Sequence, residues 1–152
     1  MKSIIIPVFN QHDMTNECIY AVMENTQDYE IIVVDNGSNP PYKPPFTGFA
    51  DCLIIRNEEN MGFPAAVNQG IKQAKGDIII LLNNDVIVTP KWADMLEKAL
   101  NEYSIVGPTT NYCAGLQKIA VEFYGDKNEL NKVAQGQAEE YGDEVLPVNW
   151  VI

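Results

Sequence analysis

One stretch near the middle of the chain, residues 78–90, constrains the fold more than any other. It reads Ile-Ile-Ile-Leu-Leu-Asn-Asn-Asp-Val-Ile-Val-Thr-Pro, so an apolar run gives way abruptly to three polar residues. A short continuous apolar run predicts a strand buried on both faces, as in a parallel sheet. Asn83, Asn84 and Asp85 would then lie at the carboxyl edge of that sheet, where open α/β sheets bind ligands.

These three polar residues admit two interpretations. Carboxylate and amide oxygens are hard ligands that suit Mg²⁺ or Mn²⁺, so Asp85 and its neighbours can form part of a metal site. The same residues can instead form a tight polar turn that merely ends the strand. The spacing alone does not separate the two interpretations.

The composition predicts one soluble globular domain over residues 1–152. Its net charge of −11 disfavours a nucleic-acid partner, because phosphate backbones attract basic surfaces. Small ligands that carry phosphate are still compatible with this negative charge, since a divalent ion can supply the positive charge. The apolar runs are too short to span a membrane, and the three cysteines lack metal-site spacing. No signal peptide is recognisable, so we expect a cytoplasmic protein.

Apolar runs and turn residues predict strands that alternate with helices. Strands are expected at residues 3–7, 29–35, 51–56, 78–82 and 105–108, with the first of them central because it is apolar on both faces. Strand, helix and strand in succession predict right-handed βαβ units. The pattern weakens after Pro108, which divides a core of residues 1–108 from a less regular segment, 109–152. That segment is expected to hold a strand at 119–124 and a strand-like run at 145–152.

Helices are expected from Asp13 or Thr15 to about residue 25, over 64–76, from residue 90 to about 100, and over 126–141. Asp13 or Thr15 can cap the first, and Thr89 can cap the third. Pro64 suits the first turn of the second helix, and Gly76 suits its end.

Polar groups follow three of the strands, and parallel pairing would bring them to one edge. An aromatic face, a carboxylate and a candidate metal site are the groups that a nucleoside diphosphate requires. Phe9 can border a base, or it can belong to the core. Asp35 can accept a hydrogen bond from a base N–H or a ribose hydroxyl, or it can form an Asx turn with Gly37.

Several familiar motifs are absent from the sequence. It contains no Gly-x-Gly-x-x-Gly, no P-loop and no Gly-x-Ser-x-Gly. His12 is the only histidine, so zinc chemistry and histidine-based triads have little support. His12 itself can touch a ligand or be solvated.

The order of these motifs resembles that of the family-2 glycosyltransferases, which have the GT-A nucleotide-sugar-binding fold. The matching segments are 5–10 (IIPVFN), 30–38 (EIIVVDNGS), 57–70 (NEENMGFPAAVNQG), 76–85 (GDIIILLNND), 90–92 (PKW) and 107–108 (GP). The resemblance implies an α/β fold: a mostly parallel, Rossmann-like sheet between two layers of helices.

The resemblance also implies roles for individual residues. Pro7, Phe9 and Asp35 would form the nucleobase pocket, while Asn83 and Asn84 would line the sugar-diphosphate site. Asp85 would bind Mn²⁺ or Mg²⁺, although Asn83 stands where the family often has a first Asp. The full set of nucleotide-binding residues would be Pro7, Phe9, Asn10, Asp35, Asn57, Gly62, Asn68, Asn83 and Asn84.

The activity implied by the resemblance is inverting transfer of a sugar from a UDP- or dTDP-linked donor. The acceptor would be a hydroxyl of a saccharide, a lipid or a protein. The family's catalytic base lies well after the metal motif, yet residues 148–152 resemble the strand before that region, and there the sequence stops. Acidic residues that qualify as the base by type alone are Glu122, Glu139, Glu140, Asp143 and Glu144. We therefore expect the donor-binding half of a larger enzyme.

Three alternatives stay open at this point. The chain can be a module that binds the nucleotide sugar and transfers nothing. It can be a nucleotidyltransferase on a similar sheet, although the Gly-rich basic phosphate loop expected near the first strand is missing. It can also be a flavodoxin-like regulatory domain, which carries acidic residues at strand ends.

Overall fold

The computed structural model of the protein describes residues 1–44, 52–111, 117–120 and 125–141. The elements in these ranges are β1 (Lys2–Val8), α1 (His12–Asn25), β2 (Tyr29–Asn36), β3 (Cys52–Asn57), α2 (Phe63–Gln73), β4 (Ile78–Leu81), α3 (Trp92–Ala99) and α4 (Lys127–Tyr141). The chain forms two compact units, Met1–Val88 and Thr89–Ile152. None of the helices in the described ranges has the length and apolar character that crossing a membrane requires.

The first unit is built on a parallel sheet with the strand order β3-β2-β1-β4. Ile5 of β1 lies opposite Ile32 of β2 on one side and Leu81 of β4 on the other, which confirms that the first strand is central. The β1–α1–β2 and β3–α2–β4 crossovers run in opposite directions across the sheet. Because such crossovers are right-handed, α1 and α2 belong on opposite faces. The predicted α/β class is confirmed.

Branched aliphatic side chains fill both faces of the two central strands. Those that are fully buried are Ile4, Ile5, Ile6, Ile31, Ile32, Val33 and Val34. Burial of each such side chain contributes roughly 1.5–3 kcal/mol. On the face that α2 covers, Ile5 and Ile32 pack with Ala66. Gly70 of α2 faces Ile5 so closely that an added Cβ would collide with its Cγ2 atom, so α2 lies unusually near the sheet.

A network of polar hydrogen bonds lies at the amino edge of the sheet, where the strands begin. The Ser3 hydroxyl and the backbone N–H of Lys75 each donate to Oε1 of buried Glu30, both at 2.6 Å. The backbone N–H of Gly76 donates to Ser3 Oγ at 2.8 Å. Burial raises the pKa of Glu30, but these hydrogen bonds outweigh burial and hold the pKa below its usual value. The network ties the connection between α2 and β4 to β1 and β2.

The starts of two helices differ from the predictions. α1 begins after Gln11, whose backbone is left-handed with φ of 53°, so neither Asp13 nor Thr15 caps it. α3 begins at Trp92, after left-handed Lys91, rather than at residue 90.

The end of α2 also differs from the prediction. Pro64 lies in the first turn as predicted, but the helix stops at Gln73, and Ala74 is its cap. Gly76 has another role, because a Cβ there would lie 2.6 Å from the carbonyl oxygen of Met1.

The strand predictions were partly wrong. β4 exposes 40% of Ile79 and 50% of Leu81, because β1 is its only hydrogen-bonded neighbour among the described strands. Residues 105–108 form no strand, although Thr110 makes an isolated bridge with Lys118. The predicted helix over 126–141 is confirmed by α4. Asp51, residues 121–124 and residues 145–152 lie outside the described residues, and the single domain over 1–152 stays a prediction.

Gly70→Ala should destabilise the protein even though alanine favours helices. The added methyl group would meet Ile5 in a packed core, which costs about 1–3 kcal/mol. Gly136→Ala in α4 is the matched control, because nothing lies within 4 Å of its Cβ position. That variant should gain helix stability, up to about 1 kcal/mol. Urea unfolding followed by circular dichroism measures both, and equal stabilisation by the two substitutions would contradict the close approach of α2.

Glu30→Gln should lower stability at neutral pH by about 1–3 kcal/mol, since charge-assisted hydrogen bonds become neutral ones. The folded-state pKa of Glu30 lies below the usual 4.5. Its contribution is therefore complete above about pH 4.5 and is lost as the pH falls through the lower folded-state pKa. The stability gap between wild type and variant should narrow over that interval in urea titrations. A gap that stays constant down to pH 3 would refute this role.

Candidate functional site at the carboxyl edge of the sheet

The polar segments that follow the four strands converge on one edge of the sheet, which the sequence predicted for three of them. The registers place Val8 opposite Asp35, Asp35 opposite Arg56, and Asn36 opposite Asn57. The segments themselves are residues 9–11, 37–44, 58–62 and 82–88, and all of them belong to the first unit. The carboxyl edge is therefore rich in amide and carboxylate groups.

Asp35 is fully buried at the end of β2, and its carboxylate is hydrogen-bonded within the protein. Oδ1 accepts the backbone N–H of Ser38 at 3.0 Å, while Oδ2 accepts the N–H of Tyr42 and Nη1 of Arg56, both at 2.8 Å. Burial raises the pKa of Asp35, but the contacts with Ser38 and Tyr42 and the Arg56 charge outweigh it, so the pKa lies below its usual range. The turn that Asp35 forms reaches Ser38 rather than Gly37. Asp35 thus holds the segment after β2 in place.

Arg56 is a residue that the sequence predictions missed. Besides its ion pair with Asp35, it donates Nη2 to the carbonyl oxygen of Ser38 at 2.9 Å. About a third of its side chain is exposed, while the Asp35 side chain is almost wholly covered. Arg56 therefore lies partly exposed at the edge where the candidate site lies, with its charge paired to that of Asp35. The signal available in the sequence was a charged residue, Arg56, at the end of an apolar run.

Asparagine side chains connect the ends of β2 and β3 to the start of α2. Oδ1 of Asn36 accepts Nδ2 of Asn57 and the backbone N–H of Met61, each at 3.0 Å. Nδ2 of Asn36 donates to Oδ1 of Asn60 at 2.8 Å. Asn57 also exchanges two hydrogen bonds with the side-chain amide of Gln69, at 2.7 and 2.9 Å. Asn57 therefore shapes this wall by holding other residues.

Two glycines in these segments have backbone conformations that side chains disfavour. Gly37 has φ of 87°, and a Cβ there would lie 2.6 Å from the backbone carbon of Glu59. Gly62 has φ of 82° and is the residue from which α2 starts. The segment after β2 thus approaches the backbone of Glu59 closely only because residue 37 is glycine, whereas nothing lies within 4 Å of the Cβ position of Gly62.

The segment after β1 contains the predicted aromatic residue. Phe9 is 49% exposed, so the alternative that it belongs to the core was wrong. Asn10 and Gln11 both have left-handed backbones. Asn10 donates its backbone N–H to Ser38 Oγ at 2.8 Å and accepts the N–H of Asn39 at 3.0 Å. Asn10 therefore fixes the turn that presents Phe9 to solvent.

Pro7, Asn68 and His12 differ in their exposure. Pro7 is half-buried within β1, opposite Val34, whereas Asn68 is exposed on α2. His12 packs edge-to-face against Tyr42, with ring centroids 5.4 Å apart. Its Nε2 atom is buried and has no hydrogen-bond partner among the described residues. His12 is thus not simply solvated.

Asn83, Asn84 and Asp85 follow β4 as predicted. Asn83 and Asp85 are exposed, while Asn84 is half-buried and donates Nδ2 to the hydroxyl of Thr15 in α1 at 3.0 Å. The Cys18 thiol donates to the carbonyl oxygen of Asn83 at 3.5 Å. Burial raises the pKa of Cys18 to about 12, so this thiol stays protonated and can donate.

The donor set of this segment fits Mg²⁺ or Mn²⁺. No group of three or more His, Cys, Asp and Glu side chains that could hold a metal occurs in the described ranges. Magnesium, however, is commonly bound through one or two carboxylates together with substrate phosphates and water. One exposed carboxylate at Asp85, flanked by amide oxygens, is compatible with that mode.

Five acidic residues qualify as the catalytic base by residue type alone, and the structure describes two of them. Glu139 and Glu140 are exposed on α4, where Oε1 of Glu139 accepts Nε2 of Gln135 at 2.8 Å. Glu122, Asp143 and Glu144 lie outside the described residues. The catalytic base therefore stays unassigned.

Comparison with known proteins identifies the family. Residues 3–135 match the model described as "Glycosyl transferase family 2". Glycosyltransferase AglE of Haloferax volcanii is 34% identical over 112 residues, which cover 69% of this chain and 36% of that protein. Undecaprenyl-phosphate 4-deoxy-4-formamido-L-arabinose transferase of Serratia proteamaculans is 32% identical over 115 residues, covering 69% and 35%.

A third relative matches a shorter part of the chain. Poly(ribitol-phosphate) beta-glucosyltransferase of Bacillus spizizenii is 35% identical over 94 residues, covering 55% of this chain and 14% of that protein. The chain spans about a third of the length of the first two relatives. Since the family match extends over most of the sequence, the chain belongs to glycosyl transferase family 2.

Proposed function

We propose that this chain binds the nucleotide-sugar donor of a glycosyltransferase and that the carboxyl edge of its sheet is the donor site. One observation carries the proposal: exposed Phe9 and exposed Asp85 follow neighbouring strands at the edge where parallel sheets bind ligands. The names of the relatives support a sugar donor, because each of them is a transferase and two names specify a sugar residue.

Phe9 and Pro7 would flank the base, and the turn held by Asp35 would close that end of the pocket. Because the carboxylate of Asp35 already accepts three hydrogen bonds, we assign it mainly to shaping the pocket. Its part in hydrogen bonding to the base stays a prediction. Asn10 and Asn57 would likewise act through the segments that they hold.

Asn83 and Asn84 would line the sugar-diphosphate part of the site, and Asp85 would hold Mn²⁺ or Mg²⁺. The ion, when bound, would neutralise charge on the leaving diphosphate. Gly62 and Asn68 would complete the wall. Nothing lies within 4 Å of the Cβ position of Gly62, which leaves room for the donor.

The proposed reaction is a displacement at the anomeric carbon. An acceptor hydroxyl oxygen forms the new bond to that carbon, the bond to the diphosphate oxygen breaks, and the configuration inverts. The hydroxyl proton passes to a carboxylate base that is not assigned in this chain. UDP- or dTDP-linked sugars are the proposed donors, and the acceptor is a hydroxyl of a saccharide, lipid or protein.

A binding module that transfers nothing is the second candidate. It is compatible with the chain spanning about a third of the length of its relatives. Hydrolysis of a UDP-sugar by the chain, or transfer to an added acceptor, separates the two candidates. The nucleotidyltransferase and flavodoxin-like alternatives lose support from the family match.

Asp85→Ala should weaken binding of UDP in the presence of Mn²⁺ by about tenfold or more, because the carboxylate that holds the ion is gone. In EDTA, Asp85→Ala and the wild-type chain should bind UDP with the same affinity. Isothermal titration calorimetry with UDP, with and without MnCl₂, measures both.

Asp77→Ala is the matched control for this experiment. It removes the same charge from an exposed acid whose side chain is 94% accessible and lies by the chain's amino group, at the amino edge of the sheet. Asp35→Asn provides a second comparison and should weaken UDP binding equally with and without metal. If Asp85→Ala binds UDP with unchanged affinity and unchanged metal dependence, Asp85 is not the metal ligand.

A further inference from the structure

The segment after β4 lies along one stripe of α1. Thr15, Cys18 and Asn25 are three and seven residues apart, so they share a helix face. Thr15 contacts the side chain of Asn84, and Cys18 contacts the backbone of Asn83. Asn25 donates Nδ2 to the carbonyl oxygen of residue 88 at 3.3 Å. Helix α1 is therefore hydrogen-bonded to this segment on both sides of Asp85.

Thr15 differs from the other two because it holds a side chain rather than the backbone. It is fully buried, and its hydroxyl lies 3.0 Å from the carbonyl oxygen of Gln11. A carbonyl oxygen can only accept, so the single hydroxyl proton of Thr15 is directed at Gln11. Towards Asn84 the hydroxyl can then only accept, which requires that Asn84 present its NH₂ group.

This arrangement fixes the polarity of Asn84. With the NH₂ group held against Thr15, the amide oxygen is the atom that Asn84 turns away from α1. A free asparagine could present either end, and its NH₂ end would repel a cation. Near Asp85, an oriented oxygen suits a divalent ion or a sugar hydroxyl.

We propose that Thr15 is a positioning residue that makes Asn84 an oxygen donor to the metal-bound diphosphate end of the site. This proposal rests on the proposed function, because it assumes that the segment binds a nucleoside diphosphate with a divalent ion. It assigns a specific role to a helix residue that lies 69 positions before its partner. The interaction acts on ligand binding through Asn84, without contact between Thr15 and the ligand.

The test compares two substitutions of Thr15 by calorimetry with UDP, in MnCl₂ and in EDTA. Thr15→Val keeps the shape but removes the acceptor, so Asn84 can rotate, and UDP affinity in Mn²⁺ should fall about three- to tenfold. Affinity in EDTA should stay within twofold of wild type. Thr15→Ser keeps the hydroxyl, so its UDP affinity in Mn²⁺ should stay within about twofold of wild type.

Val22→Ala controls for loss of helix stability. Val22 is fully buried in α1, and its substitution removes no polar contact with the segment after β4. Its melting temperature should fall, while the ratio of UDP affinities in Mn²⁺ and EDTA should match wild type. If Val22→Ala lowers that ratio as much as Thr15→Val does, Thr15 acts only through folding, and the proposal is overturned.

A double-mutant cycle then tests whether the effect passes through Asn84. In an Asn84→Ala background, Thr15→Val should change the Mn²⁺-dependent affinity by less than twofold. A full additional loss in that background would overturn the proposal, as would unchanged Mn²⁺ dependence in the single Thr15→Val variant. Failure of the wild-type chain to bind UDP with Mn²⁺ would instead refute the proposed function on which the proposal rests.

Discussion

The parallel pairing of β1 with β2 on one side and β4 on the other is the interaction on which the rest of the first unit depends. It buries the isoleucines of β1 on both faces and sets the strand order β3-β2-β1-β4. Because all strands point the same way, their carboxyl ends meet at one edge. The site is therefore a consequence of this pairing, and the amino edge is closed by the network around Glu30.

At the carboxyl edge, several of the predicted binding residues hold other parts of the protein in place. Asp35 and Asn57 direct their polar atoms into the protein, whereas Phe9, Asn83 and Asp85 are exposed. This division has a physical basis. Segments that must present a few groups to a ligand carry many backbone polar atoms, and these need internal partners to stay ordered. The buried amide and carboxylate network supplies such partners, which leaves the exposed groups available for a donor.

The sequence was a good guide wherever the structure depends on local pattern. Apolar runs predicted β1 to β4 and the central place of β1, and Pro64 predicted the start of α2. It was a poor guide where the outcome depends on distant partners. The exposure of Leu81 depends on which strands flank β4, and the Asp35–Arg56 pair depends on the register of β2 against β3.

The predicted starts of α1 and α3 were wrong for a different reason. Gln11 and Lys91 adopt left-handed conformations that no residue type there announces, since such positions usually favour glycine or asparagine. The hydrogen bond between Thr15 and Asn84 shows the same limit. The sequence suggests a helix cap at Thr15 and a polar turn or metal site at Asn84, but their pairing follows only from the fold.

The most direct test of a donor site at the carboxyl edge is an NMR titration of the ¹⁵N-labelled chain with UDP and Mg²⁺. A donor site there should produce saturable shifts in the backbone amides of Gly37, Gly62 and Asp85. The amides of Ser3 and Gly76, at the amino edge, should not move. Shifts confined to the amino edge, or none at millimolar UDP, would contradict it.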